Sequence, residues 1–414
     1  MPIPANTSLK SPLVIIMVGL PARGKTYTAQ RLQRFLLWRG YQSRVFNVGN
    51  TRRAQVGAQV PHNFFDRENA VGLTARRAAA ESTLDALLEW CALGGQVAIY
   101  DATNTTRSRR NWVKIACEER GLRVLWFEIT CADATVIDTN IRASKLSNPD
   151  YKGIDPEAAV ADFRARIAHY ERAYEPLAPE EGSHIRLHDL GQRIELFDIH
   201  GYLQGKLVSL AMNLHTVPRP IYLSRHGQSE DNRQHKLGGD SNITNAGKAY
   251  AQKLAQWFQD RDKQSIQIWT STLRRTIQTA VPLSDHAIAL KSLDEIHAGI
   301  CEGMTYEQVR EQMPREFQAR KEDKLGYRYP QGESYEDVIE RLEPIIFELE
   351  RQREPVLVIA HQAILRALYG YFTNRTRSET PHIEIPLHTL IRITPRAYGY
   401  DEERVIMGPE VPQT

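Results

Sequence analysis

The segment Gly19–Thr26, GLPARGKT, limits the fold of this chain more than any other stretch of its sequence. It follows the apolar run Leu13–Val18, which predicts a strand buried on both faces. It leads into Lys25–Trp38, which we predict to be a helix that ends before Gly40. A glycine-rich turn between a strand and a helix directs backbone N–H groups and the positive helix end toward one point. The segment therefore predicts a phosphate-binding loop at the edge of a parallel sheet.

Short apolar strands alternate with amphipathic helices through the rest of the first half of the chain. This alternation predicts an α/β fold, with a mostly parallel sheet and helices on both of its faces. The further predicted strands are Arg44–Val48, Val97–Tyr100 and Val124–Ile129, and the predicted helices lie at 74–90, 107–119 and 156–174.

A second β-α series begins after the proline-containing segment 215–220, HTVPRP. We therefore predict two α/β domains, 1–217 and 218–414. Pro344 lies inside the last predicted helix of the second domain, where it should break or kink that helix. The predicted elements are strands at Ile221–Ser224, Ile266–Thr270 and Val356–Ala360 and helices at 244–259 and 334–351.

The composition indicates the class of protein but not its activity. A length of 414 residues suits two or three domains. The net charge of +3 gives no reason to expect nucleic acid or a membrane as a partner, and no apolar run approaches the roughly 20 residues of a membrane span. Four cysteines without CxxC spacing make a zinc site or a disulfide framework a poor explanation. Since the N-terminus has no signal pattern, we expect a reduced, cytoplasmic protein.

The first predicted site combines the glycine loop with a carboxylate on a neighbouring strand. In such a loop Lys25 reaches the β- and γ-phosphates of a nucleotide, and the hydroxyl of Thr26 ligates Mg²⁺. Asp101 ends the strand VAIYD, where it would serve the metal or accept a proton from the acceptor. The alternative for Asp101 is an N-cap of the helix at 107–119. The loop predicts a nucleotide-dependent kinase. The sequence leaves open whether Asp101 acts in catalysis or caps the helix.

Arginines follow two of the predicted strands. Arg52 and Arg53 come after RVFNV, and Arg107, Arg109 and Arg110 come after VAIYD. Because ligands of open α/β sheets bind at the carboxyl ends of strands, these guanidinium groups predict an acceptor that already carries a phosphate.

The second predicted site rests on two histidines at strand ends. His226 follows the strand IYLS within Arg-His-Gly, and His361 follows VLVIA. A neutral imidazole is a competent nucleophile toward phosphorus, while a second imidazole and Arg275 would neutralise the phosphoryl oxygens. Glu295 is the predicted general acid and base. Together these residues predict that the second half of the chain is a phosphatase that works through phosphohistidine. The alternatives to Glu295 nearby are Asp294 and Glu302.

These residues carry a specific likeness to a known family. The stretches GLPARGKTY, DATNTTR, NPDY, RHG, GGDS, TIQTA, YRYPQGESYEDV, RLEPII and PLHTL occur in this order. From Leu13 to Gly399 the chain thus resembles the bifunctional 6-phosphofructo-2-kinase/fructose-2,6-bisphosphatase family. The resemblance implies a P-loop kinase domain that phosphorylates the 2-hydroxyl of fructose 6-phosphate with ATP and Mg²⁺. It also implies a phosphoglycerate-mutase-like histidine-phosphatase domain that removes this phosphate from fructose 2,6-bisphosphate, and a homodimer.

The resemblance assigns residues in the kinase half. It implies that Lys25 and Asp101 are catalytic and that Cys131 is the cysteine of the active region. The positions that match the nucleotide-binding residues are Gly19, Leu20, Pro21, Ala22, Arg23, Gly24, Lys25, Thr26, Tyr27, Asn140, Lys145 and Tyr398. The positions that match the fructose 6-phosphate pocket are Arg52, Arg76, Thr103, Arg109, Lys145, Arg166 and Tyr170.

In the phosphatase half the resemblance implies His226 as the nucleophile, Glu295 as the acid and base, and His361 as the supporting histidine. The positions that match the bisphosphate-binding residues are Arg225, Asn232, Gly238, Arg275, Tyr306, Arg320, Lys324, Tyr335, Gln362 and Arg366.

The sequence departs from the family pattern in places. AHQA at 360–363 stands where the family has CHQA, and RHGQ at 225–228 stands where it has RHGE. Neither change removes a group that the chemistry needs. Only short segments flank the matched region, so we do not expect phosphorylation control through long tails.

Two other classes of function compete with this interpretation. A nucleic-acid end-processing kinase-phosphatase also pairs a P-loop with a phosphatase, but it would need a broad basic groove. A non-catalytic phosphosugar sensor would have no need for an intact set of catalytic side chains.

Overall fold

The computed structural model describes residues 11–145, 149–215, 217–261, 265–396, 399–408 and 411, except for the side chains of 143–145 and 190. The predicted nucleotide contacts Lys145, by its side chain, and Tyr398 lie outside the described residues. The chain divides into two compact units between residues 215 and 216.

The first unit is built on a six-stranded sheet in the order β2-β3-β1-β4-β5-β6. All neighbouring strands are parallel except the pair β5 and β6. Strands β3 and β1, the second and third in this order, are buried at every position, which explains their continuous apolar runs. The strands are β1 Leu13–Val18, β2 Ser43–Asn47, β3 Val97–Asp101, β4 Arg123–Thr130, β5 His184–His188 and β6 Arg193–Phe197.

Helices connect these strands as the β-α alternation predicts, and the predicted α/β class is confirmed. Asn69, Thr106 and Asp155 accept hydrogen bonds from backbone N–H groups in the first turns of three of them, which fixes the residue at which each helix begins. The helices are α1 Lys25–Trp38, α2 Val48–Val56, α3 Ala70–Ala92, α4 Arg107–Glu118, α5 Ala134–Lys145, α6 Pro156–Glu171 and α7 Tyr202–Ala211.

The second unit contains a mixed six-stranded sheet in the order β12-β11-β7-β10-β8-β9. Strands β7, β10, β8 and β9 run parallel, whereas β11 pairs antiparallel with both of its neighbours. This antiparallel hairpin was not predicted from the sequence. The strands are β7 Ile221–Arg225, β8 Gln267–Thr270, β9 Ile288–Ala289, β10 Val356–Ala360, β11 Thr389–Pro395 and β12 Tyr400–Ile406.

Pro344 breaks the predicted helix 334–351 at Leu342, as expected for a residue that lacks a backbone N–H and crowds the preceding turn. Pro344 itself takes an early position in the new helix, where no intrahelical N–H bond is required. The helices of this unit are α8 Glu230–Arg233, α9 Asn245–Arg261, α10 Arg274–Ala280, α11 Tyr306–Gln312, α12 Pro314–Glu322, α13 Tyr335–Arg341, α14 Glu343–Arg351 and α15 Gln362–Phe372.

The outer strands of the two sheets differ in character. In β6 of the first unit, Leu196 and Phe197 are 49% and 40% exposed. In β12 of the second unit, the consecutive charged residues 401–404 are all exposed. Among the described residues, no helix has the length and apolar character required to span a membrane.

Candidate active sites

The carboxyl ends of four adjacent strands form the first candidate site. The order β2-β3-β1-β4 places Asn47, Asp101, Gly19 and Cys131 at or just beyond neighbouring strand ends. This is the edge at which parallel α/β sheets bind ligands.

The glycine loop has the backbone shape that phosphate binding requires. Gly19 has a φ of 133°, and a Cβ atom there would lie 2.3 Å from the carbonyl oxygen of Ile129 on β4. Gly24, with a φ of 93°, leads into the first turn of α1. The backbone N–H of Gly19 donates to the carbonyl of Thr103, so the loop is fixed to the segment after β3. Lys25 is buried and its Nζ donates to the carbonyl of Leu20 at 2.6 Å, which holds the ammonium group over the loop.

Asp101 does not cap α4. The N-cap of that helix is Thr106, whose hydroxyl accepts from the N–H of Arg109. The carboxylate of Asp101 instead accepts from the side-chain amide of Asn47 at the end of β2, and the residue is 3% exposed. The capping alternative is therefore wrong, and Asp101 is left as a buried carboxylate next to the glycine loop.

A buried carboxylate of the first unit, Asp150, gathers three arginines. Oδ2 of Asp150 accepts from Arg52 at 2.7 Å and lies 3.4 Å from guanidinium nitrogens of both Arg53 and Arg166. The guanidinium of Arg166 also stacks 3.6 Å from the ring centre of Phe65. Hydrogen bonds from Arg52 and the surrounding positive charge oppose the effect of burial and hold the pKa of Asp150 below its usual range. The three guanidinium groups thus converge on a single carboxylate oxygen.

The other predicted sugar-phosphate contacts have different partners. Arg76 donates to the carbonyls of Gly72, Phe65 and Asp66 and so supports the segment that carries Phe65. Arg109 donates to the hydroxyl of Tyr100 at 3.0 Å. Thr103 accepts the N–H of Gly19, as described above, and the ring of Tyr170 lies 6.0 Å from that of Phe65.

Arg110 does not face the predicted acceptor site, although its neighbour Arg109 does belong to the predicted set. The side chain of Arg110 is fully buried and pairs with Glu181 at 2.6 Å. It also donates to the carbonyls of Asn104 and Glu175. Its role in this structure is therefore to fix the segment after α6, and the hypothesis that it contributes to an acceptor site is wrong.

Three other residues predicted to bind the nucleotide lie in or near the loop. Asn140 on α5 donates to the carbonyl of Ala22, and Tyr27 donates to the carbonyl of His215. Arg23 pairs with Glu171 at 3.3 Å. Burial raises the pKa of the Cys131 thiol, so a thiol rather than a thiolate stands at the end of β4.

Two histidines and an arginine form the centre of the second candidate site. Nε of Arg275 lies 3.1 Å from Nε2 of His226 and 3.1 Å from Nδ1 of His361. The opposite nitrogen of His226, Nδ1, lies 2.9 Å from the carbonyl oxygen of Gly227. Because a carbonyl only accepts and a guanidinium only donates, the proton of His226 sits on Nδ1 and its lone pair on Nε2. Both imidazoles therefore present a lone pair to the same N–H group.

Burial and neighbouring cations keep both imidazoles neutral. Burial, followed by the charges of Arg275 and Arg225, lowers the pKa of His226 well below 6.5. Burial and Arg275 have the same effect on the pKa of His361. Burial also lowers the pKa of Arg225 to about 10, so this guanidinium remains charged at neutral pH. The site offers two neutral nitrogen bases within a positive field, as nucleophilic attack on a phosphoryl group requires.

The second candidate site opens onto a cleft that His226 and Arg275 line. Of the three candidate acids, Glu295 lines this cleft, whereas Asp294 and Glu302 do not. Oε1 of Glu295 accepts from the N–H groups of Ile296 and Ala363, at 2.9 and 3.3 Å. Asp294 accepts the N–H and hydroxyl of Thr272 instead. The carboxylate of Glu302 bridges the N–H groups of Ala298 and Gly239. Asp294 and Glu302 therefore stabilise the neighbouring backbone segments in this structure.

A second group of cations lines the same cleft. Arg320 donates to the hydroxyls of Tyr329 and Tyr306, both at 2.7 Å, and Arg366 donates to that of Tyr335 at 3.1 Å. Burial, together with Arg366 and Arg320, lowers the pKa of Lys324 to about 8. All the predicted bisphosphate contacts line this one cleft: Arg225, Asn232, Gly238, Arg275, Tyr306, Arg320, Lys324, Tyr335, Gln362 and Arg366.

The backbone at Gly238 explains why this position carries no side chain. Its φ is 65°, and a Cβ atom would lie 1.6 Å from Oε2 of Glu302. The carbonyl of the next residue, Gly239, accepts a hydrogen bond from Arg275 at 2.6 Å. The backbone at this glycine pair therefore positions the guanidinium of Arg275. Asn232 lines the cleft while its side-chain oxygen accepts from Ser229.

Sequence reasoning missed residues that support both sites. Asp150 lies in the quoted stretch NPDY, but nothing in that stretch shows that it meets Arg52. Arg341 lies in RLEPII and donates to the carbonyls of Ser292 and Asp294, which fixes the segment leading to Glu295. Lys236 also lines the cleft. For Asp150 and Arg341 the available signal was a charged residue within a quoted stretch of the family, whereas Lys236 lies outside those stretches.

Comparison with known proteins gives a consistent result for both units. Residues 4–218 match the 6-phosphofructo-2-kinase family, and residues 221–406 match branch 1 of the histidine phosphatase superfamily. A 6-phosphofructo-2-kinase/fructose-2,6-bisphosphatase from Arabidopsis thaliana is 48% identical over 95% of this chain, which spans only 53% of that relative. A relative of the same name from Gallus gallus is 44% identical, with 97% of this chain and 86% of the relative covered. Human 6-phosphofructo-2-kinase/fructose-2,6-bisphosphatase 3 is 43% identical, with 97% and 78% covered.

Proposed function

Since this chain belongs to the bifunctional 6-phosphofructo-2-kinase/fructose-2,6-bisphosphatase family, we propose that it both makes and hydrolyses fructose 2,6-bisphosphate. Its first unit would transfer a phosphoryl group from ATP to the 2-hydroxyl of fructose 6-phosphate. Its second unit would return the product to fructose 6-phosphate and inorganic phosphate. The observation that carries the proposal is the pair of neutral imidazoles that share one arginine N–H, of which His226 lines a cleft that also holds a second set of cations.

The hydrolysis proceeds in two steps through His226. Nε2 of His226 attacks the phosphorus of the 2-phosphate, a nitrogen–phosphorus bond forms, and the bond from phosphorus to the sugar oxygen breaks. Glu295 donates the proton that the leaving oxygen requires. Its carboxylate then takes a proton from a water molecule whose oxygen attacks the phosphorus, and the nitrogen–phosphorus bond breaks to release phosphate. Arg225, Arg275 and His361 stabilise the charge on the phosphoryl oxygens throughout.

The kinase reaction uses the carboxyl edge of the first sheet. Lys25 and the backbone N–H groups of the loop bind the β- and γ-phosphates of ATP. The 2-hydroxyl oxygen of the sugar attacks the γ-phosphorus, the bond to the β–γ bridging oxygen breaks, and Asp101 accepts the hydroxyl proton. Arg52 and Arg166, already oriented by Asp150, bind the 6-phosphate.

The residues present also fit a magnesium ion delivered with ATP. The Thr26 hydroxyl, in the first turn of α1, is an oxygen ligand of the kind that this ion takes from proteins that bind it together with nucleotide phosphates. We propose that Thr26 would hold Mg²⁺, which when bound would neutralise charge on the β- and γ-phosphates.

The direct test is a coupled assay on the purified full chain. With ATP, Mg²⁺ and fructose 6-phosphate, fructose 2,6-bisphosphate should accumulate, and added bisphosphate should be hydrolysed when ATP is absent. A protein that consumes ATP but leaves fructose 6-phosphate unchanged would contradict the proposed substrate. A protein that makes the bisphosphate but cannot hydrolyse it would contradict the second half of the proposal.

Arg166→Ala should raise the KM for fructose 6-phosphate about tenfold or more, because a charge-assisted hydrogen bond to phosphate is worth roughly 1.5–3 kcal/mol. The KM for ATP should change little. Steady-state kinetics with each substrate varied in turn would measure both values. Arg164→Ala is the matched control, because Arg164 lies on the same helix but pairs with Asp138 at the exposed surface. Equal effects of the two substitutions on the KM for fructose 6-phosphate would show that Arg166 does not bind the sugar phosphate.

The lowered pKa of Lys324 predicts a pH dependence of bisphosphate binding. Below about pH 8 the free lysine is charged and can bind the phosphate that is not cleaved, whereas above that pH it loses its charge. The kcat/KM for hydrolysis should therefore fall as the pH rises through 8, because kcat/KM reports ionisations of the free enzyme. Lys324→Arg should remove this decline, since a guanidinium stays charged. A decline that persists in the arginine variant would assign the ionisation to another group.

The assembly and the cellular compartment belong to the same proposal. We propose a homodimer, which the exposed outer strand β6 with Leu196 and Phe197 could support by pairing with a second copy. Light scattering on the purified protein should then give twice the mass of one chain. We also propose a cytoplasmic location, in keeping with four buried free thiols. Fluorescence microscopy of a tagged chain would test the location.

A further inference from the structure

A chain of hydroxyl groups lies directly behind His361. Ser271 follows the last residue of β8, and its Oγ lies 2.8 Å from Nε2 of His361 and 2.8 Å from Oγ1 of Thr276. The backbone N–H of Leu273 also points to Oγ of Ser271, at 3.1 Å. Ser271, Thr276 and His361 are each 0% exposed. These hydrogen bonds are therefore shielded from bulk water.

The donor in each of these contacts follows from the chemistry of the groups. Nε of Arg275 has only a proton to offer, so Nδ1 of the neutral His361 carries no proton and Nε2 must carry it. Ser271 consequently accepts from Nε2 and from Leu273. Its own hydroxyl proton goes to Thr276, whose hydroxyl donates in turn to the carbonyl of Leu273 at 2.8 Å. Every donor in the chain has one acceptor, and the direction is the same throughout.

We propose that Ser271 is a positioning residue of the phosphatase site, whose hydroxyl keeps the proton of His361 on Nε2 and its lone pair on Nδ1. This inference rests on the function proposed above. The lone pair of Nδ1 faces Nε of Arg275, the same group that faces the attacking nitrogen of His226. Both nitrogens therefore converge on the place where the phosphoryl group would be transferred.

This arrangement prepares His361 for the charge of the phosphoryl group. When the dianion enters, Nδ1 takes a proton from solvent and donates it to a phosphoryl oxygen, so that the ring becomes a cation. The hydrogen bond from Nε2 to Ser271 then becomes charge-assisted and stronger. Without the Ser271 hydroxyl, a buried N–H would have no acceptor in that direction, and the cation would be disfavoured.

The test is the pH profile of kcat for bisphosphate hydrolysis by the full chain carrying Ser271→Ala. We expect kcat to fall about tenfold to a hundredfold, as for the loss of one hydrogen bond to a charged group. The alkaline limb of the profile should also move to lower pH. This direction follows because the form with charged His361 is the active one. A lower pKa of His361 in the complex makes the ring lose its proton at a lower pH, and kcat reports ionisations of the complex. The KM should stay within about threefold, since no substrate contact is removed.

Two further variants test whether Ser271 positions His361 or only stabilises the start of α10. Ser271→Thr keeps an oxygen acceptor and should return the alkaline limb to its wild-type position, even if crowding lowers the rate. Thr276→Val removes the outer hydroxyl but not the contact to His361, and should leave the limb in place. An unmoved limb in Ser271→Ala, or an equal displacement in Thr276→Val, would overturn the inference.

A second readout does not depend on turnover. In the full chain labelled with ¹⁵N at histidine, Nε2 of His361 should have the chemical shift of a protonated nitrogen, and Ser271→Ala should give a mixture of the two tautomers. A wild-type Nε2 with the shift of an unprotonated nitrogen would overturn the inference. Failure of the proposed function looks different, because the wild-type enzyme itself would then form no phosphohistidine at His226.

Discussion

His226→Ala should abolish bisphosphate hydrolysis, with a loss of more than about 10⁴-fold, because the attacking nitrogen itself is removed. Brief incubation of the wild-type protein with bisphosphate labelled in the 2-phosphate should leave label on the protein. That label should be acid-labile and base-stable, as expected for a phosphoramidate. In the alanine variant the labelled species should disappear altogether.

The geometry also defines the outcome that would contradict this assignment. Both His226 and His361 direct a lone pair at Nε of Arg275, so either could in principle attack. Label that survives His226→Ala and maps to His361 would show that the two roles are reversed. The kinase activity of the same variant is the internal control, and it should remain at the wild-type level because the P-loop lies in the other unit.

Lys25→Met should lower kinase activity by at least about 10²–10³-fold, because it removes the positive charge that stabilises the γ-phosphoryl group during transfer. Methionine keeps much of the length and apolar character of the lysine stem, so α1 should still form. The reaction is followed as fructose 2,6-bisphosphate formed per unit time at saturating ATP.

The phosphatase provides the reference measurement for this variant. Hydrolysis of added bisphosphate should be unchanged in Lys25→Met, since His226, His361 and Glu295 lie in the second unit. If both activities fall together in a protein that is still folded, the assignment of one activity to each unit is wrong.

The sequence was sufficient to predict the elements that carry strong local signals. The run Leu13–Val18, the glycine loop and α1 occur where the apolar pattern and the glycines place them. The break at Pro344 follows from the covalent structure of proline alone. Helix α2 was missed because it presents almost no apolar face, and Arg52 is its buried residue.

The role of individual arginines could not be predicted in the same way. Arg109 and Arg110 are neighbours in the sequence, but successive residues on a helix point about 100° apart. Arg110 therefore reaches Glu181, more than seventy positions along the chain, while Arg109 reaches Tyr100. Which acid meets which arginine depends on tertiary packing, and the same is true of Asp150 and Arg52, which are 98 positions apart.

The outer strand of the second sheet has a consequence for colloidal behaviour. An open edge strand can serve as a template for another chain and so begin aggregation. Along β12, an incoming strand would have to strip water from the consecutive charges of Asp401, Glu402, Glu403 and Arg404. The sheet of the second unit is thereby protected against growth by edge-to-edge addition of strands. Strand β6 of the first unit has no comparable run of charges, so any growth into a larger sheet would start on that side.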